Sequence, residues 1–255
     1  MMGIARYTRI MSLFDEAAST WTVTDISDAL DTSASTIYRQ VRELVAAGFL
    51  EHTVEARLRL GPVFIEYARR IRMTDPLILS GVEPMQSALV HVGVPCTAVL
   101  ARLYGPTVMC VAQEPSVSAL FHTSYELGRP MPLTRGATSK AVLSTLAPRA
   151  LTKLLGAQLP EPKQRDALKA ELAIIRKTGY CLTRGEVDSG LVGLATPVAN
   201  SPMGITASFS FILRSNDLEP QIEKRLLALA TSTACAIETN MEDLVKSLSK
   251  GSNLV

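Results

Sequence analysis

Seven side chains between Ser35 and Arg59 carry groups able to read a duplex. Ser35, Tyr38, Arg39 and Arg42 share one face of a helix at 3.6-residue spacing, and Thr36 stands beside them. Arginine pairs bidentately with a guanine edge, and short hydroxyls reach bases or phosphates, so this face suits a helix laid in a DNA major groove. Arg57 and Arg59 lie two residues apart, the spacing that puts both on one face of a strand, where guanidinium groups could touch the phosphate backbone. A second set of a different kind is Arg135-Gly136-Ala137-Thr138-Ser139-Lys140. It precedes a helix whose first N–H groups could face an anion, and Gly136 and Ala137 would let a ligand approach closely.

The elements that must hold the first set lie between Trp21 and Gly61. Thr24 or Asp25 opens a helix with Ile26, Ala29 and Leu30 inward. Asp31-Thr32-Ser33 makes a short polar break. A second helix, about Ala34 to Ala47, turns Ile37, Val41, Leu44 and Val45 inward and stops at Gly48. Phe49–His52 and Arg57–Leu60 alternate like two short strands, with Thr53–Ala56 as their turn. A solvated charged face on a small helical hairpin would explain either helix alone. The polar turn, the glycine stop and the arginine-bearing wing together favour a winged helix–turn–helix that binds DNA.

Composition sets the outer limits. The 255 residues are 47% hydrophobic and 20% charged, with a net charge of +2, which describes a folded chain rather than a disordered tail. Residues 1–75 hold nine arginines against ten carboxylates, a net charge of −1. DNA binding must therefore rest on where the arginines sit, and on doubling by a dimer, rather than on bulk charge. The four cysteines (Cys96, Cys110, Cys181, Cys235) and three histidines (His52, His91, His122) form no C-x-x-C pair and no zinc pattern. Free, mostly buried thiols and no apolar run of membrane length predict a cytoplasmic protein without a metal or cofactor.

Along the chain, residues 3–18 predict a helix with Ile4, Tyr7, Ile10, Met11, Phe14 and Ala17 on one side. Pro62–Thr74 reads as a linker helix, and Asp75-Pro76 as the break before a second domain. There, Pro76–Val92 is helical, Cys96–Tyr104 and Thr107–Ala112 form a hairpin about Gly105-Pro106, and Leu120–Tyr125 is a further short strand. Ser139–Leu146, Ala150–Leu155 and Gln164–Thr178 are helices. Tyr180–Val187, Leu191–Val198 and Ile205–Leu213 are strands, and a long helix over about Pro220–Ser249 closes the chain. Strands at both ends with helices between them predict an α+β domain suited to enclosing a small ligand.

Several of these stretches resemble the IclR family of bacterial transcriptional regulators. The matching residues are Ser35-Thr36-Ile37-Tyr38-Arg39, Leu44, Gly48 and Leu60-Gly61, then Gly128-Arg129-Pro130-Met131-Pro132-Leu133 and Lys140-Ala141. The most selective match is Gly179-Tyr180 followed by the block from Gly185-Glu186-Val187-Asp188-Ser189-Gly190 through Leu191 to Val198. The resemblance implies a two-domain α+β chain: a winged helix–turn–helix over 1–61, a linker helix over 62–74, and a GAF-like effector-binding and oligomerisation domain over 75–255. It implies a homodimer or tetramer that acts as repressor or activator, with a carboxylate or aromatic acid as effector. By the family's pattern the effector-facing residues are Leu120, Thr123, Ala137, Thr138, Thr183, Leu191, Gly193 and Ser210, mostly small or apolar with a few hydroxyls. The chain departs from the pattern at Ser139-Lys140, where the family often reads Gly-Lys.

Catalytic signatures are missing. There is no G-x-S-x-G elbow, no P-loop and no G-x-G-x-x-G fingerprint, and nothing in the spacing pairs His122 with Cys110 or Cys181. The sequence therefore predicts a DNA-binding regulator of a pseudo-palindromic operator, tuned by a small organic effector, with no membrane partner and no turnover. The alternative is a DNA-binding protein whose second domain only oligomerises, and behind it a small-molecule enzyme.

Overall fold

A computed structural model describes residues 3–116, 119 and 121–251, side chains of 248–251 excepted. The chain divides into two compact units, Met1–Thr74 and Asp75–Val255.

The first unit packs three helices against a small wing. Helix α1 (Ala5–Met11) is followed by α2 (Val23–Ala29) and α3 (Ala34–Ala46). The helix expected over 3–18 thus ends at Met11. Beyond it the Asp15 carboxylate accepts from the N–H groups of Ala17 and Ala18 at 2.9 and 2.7 Å, a local turn that competes with helix. Helix α2 opens earlier than Thr24. Thr22 is its cap, in a reciprocal capping box with Asp25. The Thr22 hydroxyl and backbone hydrogen bonds hold the Asp25 carboxyl below its ordinary range. Helix α3 buries Ile37, Val41 and Leu44 and ends before Gly48, whose φ of +76° suits only a residue without a side chain. With Ile10, Phe14, Ile26, Leu50 and Leu58 they form one core, each fully buried aliphatic contributing about 1.5–3 kcal/mol.

The wing is shorter than its sequence pattern. Strands β1 (Leu50–His52) and β2 (Leu58–Leu60) pair antiparallel in the register Leu50↔Leu60 and His52↔Leu58, and Trp21 bridges to Leu58. Phe49 leaves the strand to meet Phe64 edge-on at 5.7 Å, and Arg57 lies in the turn, not on β2 beside Arg59. Helix α4 (Val63–Thr74) closes the unit with no buried residue.

The second unit is a six-stranded antiparallel sheet between two helical layers. Its elements are α5 (Pro76–Val92), β3 (Cys96–Tyr104), β4 (Thr107–Pro115), β5 (Pro130–Met131), α6 (Ala137–Ser144), α7 (Pro148–Gln158), α8 (Pro162–Thr178), β6 (Cys181–Arg184), β7 (Leu191–Asn200), β8 (Ile205–Arg214) and α9 (Pro220–Gly251). The sheet order is β5-β4-β3-β8-β7-β6. Period-two alternation sorts the strands onto two cores. Phe209, Phe211, Leu194 and Val198 face α5 and α9, whereas Val99, Ala101, Ala195 and Ile212 face α6, α7 and α8. The strand expected over Leu120–Tyr125 is absent: 121–125 is a loop, for a reason given below, and Leu120 lies outside the described residues. The strand expected over Tyr180–Val187 stops at Arg184, because Gly185 turns the chain back with its N–H on the Leu191 carbonyl at 2.8 Å. The two-residue β5 had no sequence signal.

Candidate nucleic-acid interface and effector site

Helix α3 presents Ser35, Tyr38, Arg39 and Arg42 to solvent, with Thr36 half-buried. At its N-terminus the Ser33 hydroxyl meets Ser35 Oγ at 3.3 Å and Thr36 Oγ1 at 2.9 Å, so three hydroxyls cluster beside the first-turn N–H groups of Ala34 and Ser35. Among the described residues, neither Arg39 nor Arg42 has a hydrogen-bond or ion-pair partner. The wing arginines differ. Arg57 donates to the Thr20 carbonyl at 3.3 Å and its charge acts on Asp25, while Arg59 pairs with Glu51 at 2.7 Å. The seven residues singled out in the sequence thus split into four exposed on α3, the half-buried Thr36 beside them, and two wing arginines with partners inside the unit.

In the second unit the register of the sheet assembles most of the other set. Thr183 on β6 pairs with Gly193 on β7, which pairs with Ile212 on β8; Ala195 pairs with Ser210. Helix α6 lies directly on this face. A side chain at Gly193 would stand 3.3 Å from the Ala137 Cβ, so the glycine lets helix and sheet approach. Thr138 is fully buried, with its hydroxyl 3.0 Å from Ser210 Oγ and its carbonyl accepting from Ser208 Oγ at 3.0 Å. Tyr125, buried and hydrogen-bonded to Thr138, continues this chain of hydroxyls. Burial pushes its phenol up to about 12, the Thr138 bond opposes, and the charges of Asp188 and Glu186 add to the rise. The Tyr125 hydroxyl would lie 2.6 Å from a side chain at Gly136, which explains that glycine's close surroundings.

Two of the N–H groups at the start of α6, where the sequence suggested an anion, are taken from within the chain. The Gly136 N–H donates to Glu186 Oε2 at 2.8 Å, and the Ala137 N–H donates to Thr183 Oγ1 at 3.0 Å. Glu186 also meets Lys140 at 2.7 Å, and Lys140 meets Glu171 on α8 at 2.7 Å. Burial alone would raise the Glu186 carboxyl, but the Lys140 and Gly136 hydrogen bonds and the charges of Lys140 and Arg135 outweigh it and hold the carboxyl below its ordinary range. Lys140 mirrors this: burial would lower it, and its two carboxylate partners raise it. Arg135 donates to the Glu186 carbonyl.

Asp188 on the same β6–β7 loop explains why 121–125 is no strand. Its carboxylate accepts from Thr123 Oγ1 at 3.0 Å and the Ser124 N–H at 2.8 Å, and from the Ser124 hydroxyl. These bonds take the place of a ladder. Thr123 is thus held by Asp188 and Leu191 lines the neighbouring crevice, whereas Ala137, Thr138, Thr183, Gly193 and Ser210 meet under α6. Between them the crevice lined by Tyr125, Thr183, Glu186, Asp188, Leu191 and Gly193 encloses only about 10 Å³, room for about one water molecule. Tyr125, Glu186 and Asp188 were not singled out by role in the sequence. Two glycines bracketing two carboxylates, Gly185-Glu186-Val187-Asp188-Ser189-Gly190, were the signal that a structured loop stood there.

Three of the four cysteines are buried, and Cys235 is exposed. Burial pushes Cys96, Cys110 and Cys181 up to about 12. Among the described residues no group of three potential ligands could hold a metal, and no helix is long and apolar enough to cross a membrane.

Comparison with known proteins places this geometry in a family. The model for the bacterial transcriptional regulator IclR C-terminal domain matches residues 91–239, and that for the IclR helix–turn–helix domain matches residues 3–53. The HTH-type transcriptional regulator XynR of Escherichia coli (strain K12) is 25% identical over 224 residues, covering 82% of this chain and 85% of that protein. An IclR transcriptional regulator from Alicyclobacillus acidocaldarius shares the fold with a TM-score of 0.77 at 19% identity, over 93% of this chain and 98% of that one. An IclR homolog from Microbacterium hydrocarbonoxydans, complexed with 4-hydroxybenzoate, superposes with a TM-score of 0.75 at 22% identity, over 94% and 99%. The chain belongs to the IclR family of bacterial transcriptional regulators, which are not enzymes.

Proposed function

We propose that this regulator is a cytoplasmic homodimer or tetramer that reads a pseudo-palindromic operator and is tuned by a small organic effector bound in its second unit. Residues 1–61 are the winged helix, 62–74 the linker helix and 75–255 the effector-binding and oligomerisation domain. The observation that carries the DNA reading is the pair of exposed, unpartnered guanidiniums on α3, flanked by the Ser35 and Thr36 hydroxyls and Tyr38. Arg39 reads a base edge, Ser35, Thr36, Tyr38 and Arg42 read or position, and Arg57 and Arg59 meet phosphates after exchanging their internal partners. The exposed apolar side chains of α4, Phe64, Ile65 and Ile71, support a dimer that covers them, and two-fold symmetry imposes a symmetric site.

The test selects a preferred duplex from a random pool and titrates wild type and Arg39→Ala by fluorescence anisotropy. The variant loses about 1–3 kcal/mol on the selected duplex and far less on random DNA. Equal loss on both refutes the base-reading role of Arg39.

The effector reading is supported by the family's C-terminal domain and by the buried hydroxyls under α6. The solved relative carries 4-hydroxybenzoate. A second reading, in which the unit 75–255 only oligomerises, is favoured by the closed crevice. A metabolite that changes operator affinity, and fails to do so in Thr138→Val, decides for the effector. A ligand acts only through unequal affinity for two states of the assembly.

A further inference from the structure

We propose that the base edges of the operator are read by hydrogen bonds at guanine alone: each half-site presents two guanines, no more than about two base pairs apart, to Arg39 and Arg42, and no adenine is read through its edge. The proposal rests on the reading of α3 as the helix that lies in the major groove.

Which bases a groove helix can tell apart depends on the groups it carries. In the major groove guanine offers two acceptors, N7 and O6, which suit the forked donors of arginine. Adenine offers an acceptor and a donor, N7 and N6, the complement of a carboxamide, and cytosine offers the N4 donor, the complement of a carboxylate. Residues 1–75 contain no asparagine and a single glutamine, Gln40. That glutamine is 8% exposed and lies on the inward face of α3 with Ile37, Val41 and Leu44. The only acid on α3, Glu43, is held by the Tyr7 hydroxyl and the Arg6 guanidinium. The hydroxyls of Ser35, Thr36 and Tyr38 donate or accept, so they meet a base without choosing it. Helix α3 thus offers no group to an adenine edge, none free to cytosine, and two to guanine.

Arg39 and Arg42 are exposed, and among the described residues neither has an internal partner to give up. The wing arginines differ, since Arg57 must first leave Thr20 and Arg59 must leave Glu51. Arg39 and Arg42 stand three residues apart, one turn along the same face, which separates their Cβ atoms by about 5–6 Å. Successive base pairs lie about 3.4 Å apart, so the two forks reach guanines on neighbouring or next-but-one base pairs. A preference for adenine or thymine at any position then reflects duplex shape or contact with a thymine methyl, not a hydrogen-bonded edge.

The experiment takes the duplex selected from a random pool and replaces one purine position at a time, in both half-sites, by its 7-deaza analogue. That change removes the N7 acceptor from the major groove and leaves Watson–Crick pairing intact. Fluorescence anisotropy on the full chain reads the affinity of each duplex. Two guanines per half-site are expected to lose about tenfold, and no adenine more than about twofold. In Arg39→Ala the loss at one of the two guanines disappears, and in Arg42→Ala the loss at the other. A loss of about tenfold at any adenine, a selected half-site without a sensitive guanine, or an Arg42→Ala variant that weakens selected and random DNA alike overturns the proposal and leaves α3 standing as the groove helix. A pool from which no duplex is enriched overturns that reading and the proposal together. The analogue scan on the wild type decides even if an arginine variant does not fold.

Discussion

Replacing Lys140 by methionine keeps the stem and removes the charge that two carboxylates share. The Lys140 side chain is 7% exposed, Glu186 32% and Glu171 43%, each 2.7 Å from the ammonium. Breaking a fully buried ion pair from one side costs about 3–5 kcal/mol, because the surviving charge is left uncompensated. Both carboxylates here keep partial contact with solvent, which screens them and reduces the cost to about 2–3 kcal/mol. For a unit of this size each kcal/mol moves the midpoint by about 2–4 °C, so Lys140→Met should lower Tm by about 4–12 °C. Adding Glu171→Gln and Glu186→Gln should recover most of the loss, since an uncharged cluster leaves nothing buried and unpaired. Differential scanning calorimetry on the wild type, the three single variants and the triple variant reads both effects. A shift below about 2 °C for the Lys140 variant, or a triple variant as unstable as the summed singles, would refute the reasoning that these three groups form a coupled, partly desolvated cluster.

The same triad sets a pH window. Glu186 is depressed on folding, so its contribution is present above the unfolded carboxylate value and lost as pH falls through the lower folded one; Lys140 is raised, so its contribution is present below the unfolded ammonium value and lost as pH rises through the higher folded one. Urea denaturation against pH should show both limbs, and Glu186→Gln should flatten the acid limb. Thr22→Ala removes the capping box of α2 and should cost about 1 kcal/mol, read from the denaturation midpoint with the slope unchanged. Arg59→Ala should make the salt dependence of DNA binding shallower by about one unit of log K against log salt; an unchanged slope would keep Arg59 off the phosphates.

The sequence was most legible where one period ran through one element. Ile37, Val41 and Leu44 located α3 to within a residue, and the Asp75-Pro76 break coincides with the division between the compact units. Local polar groups defeated the pattern elsewhere. Asp15 turned the chain out of α1, and Asp188 replaced a strand ladder by holding Thr123 and Ser124 from across the fold. Periodicity carries no signal for either, because both depend on where one carboxylate finds its donors. The small and hydroxyl residues under α6 were named from the family's pattern, not from periodicity. The hydrogen bond from Gly136 to Glu186 had no such signal, since fifty residues separate that carboxylate from Gly136 and only the folded chain joins them.

A crevice of about 10 Å³ also has a kinetic meaning. No organic guest fits it as it stands, so if the proposed effector enters here the crevice must first open, as release of the loop at 121–125 from Asp188 would allow, and the observed association rate should level off at high ligand concentration at the rate of that opening. The measured dissociation constant then exceeds the intrinsic one by the reciprocal of the open fraction. In the proposed effector site, weakening the Asp188 clasp would consequently quicken capture and tighten apparent affinity.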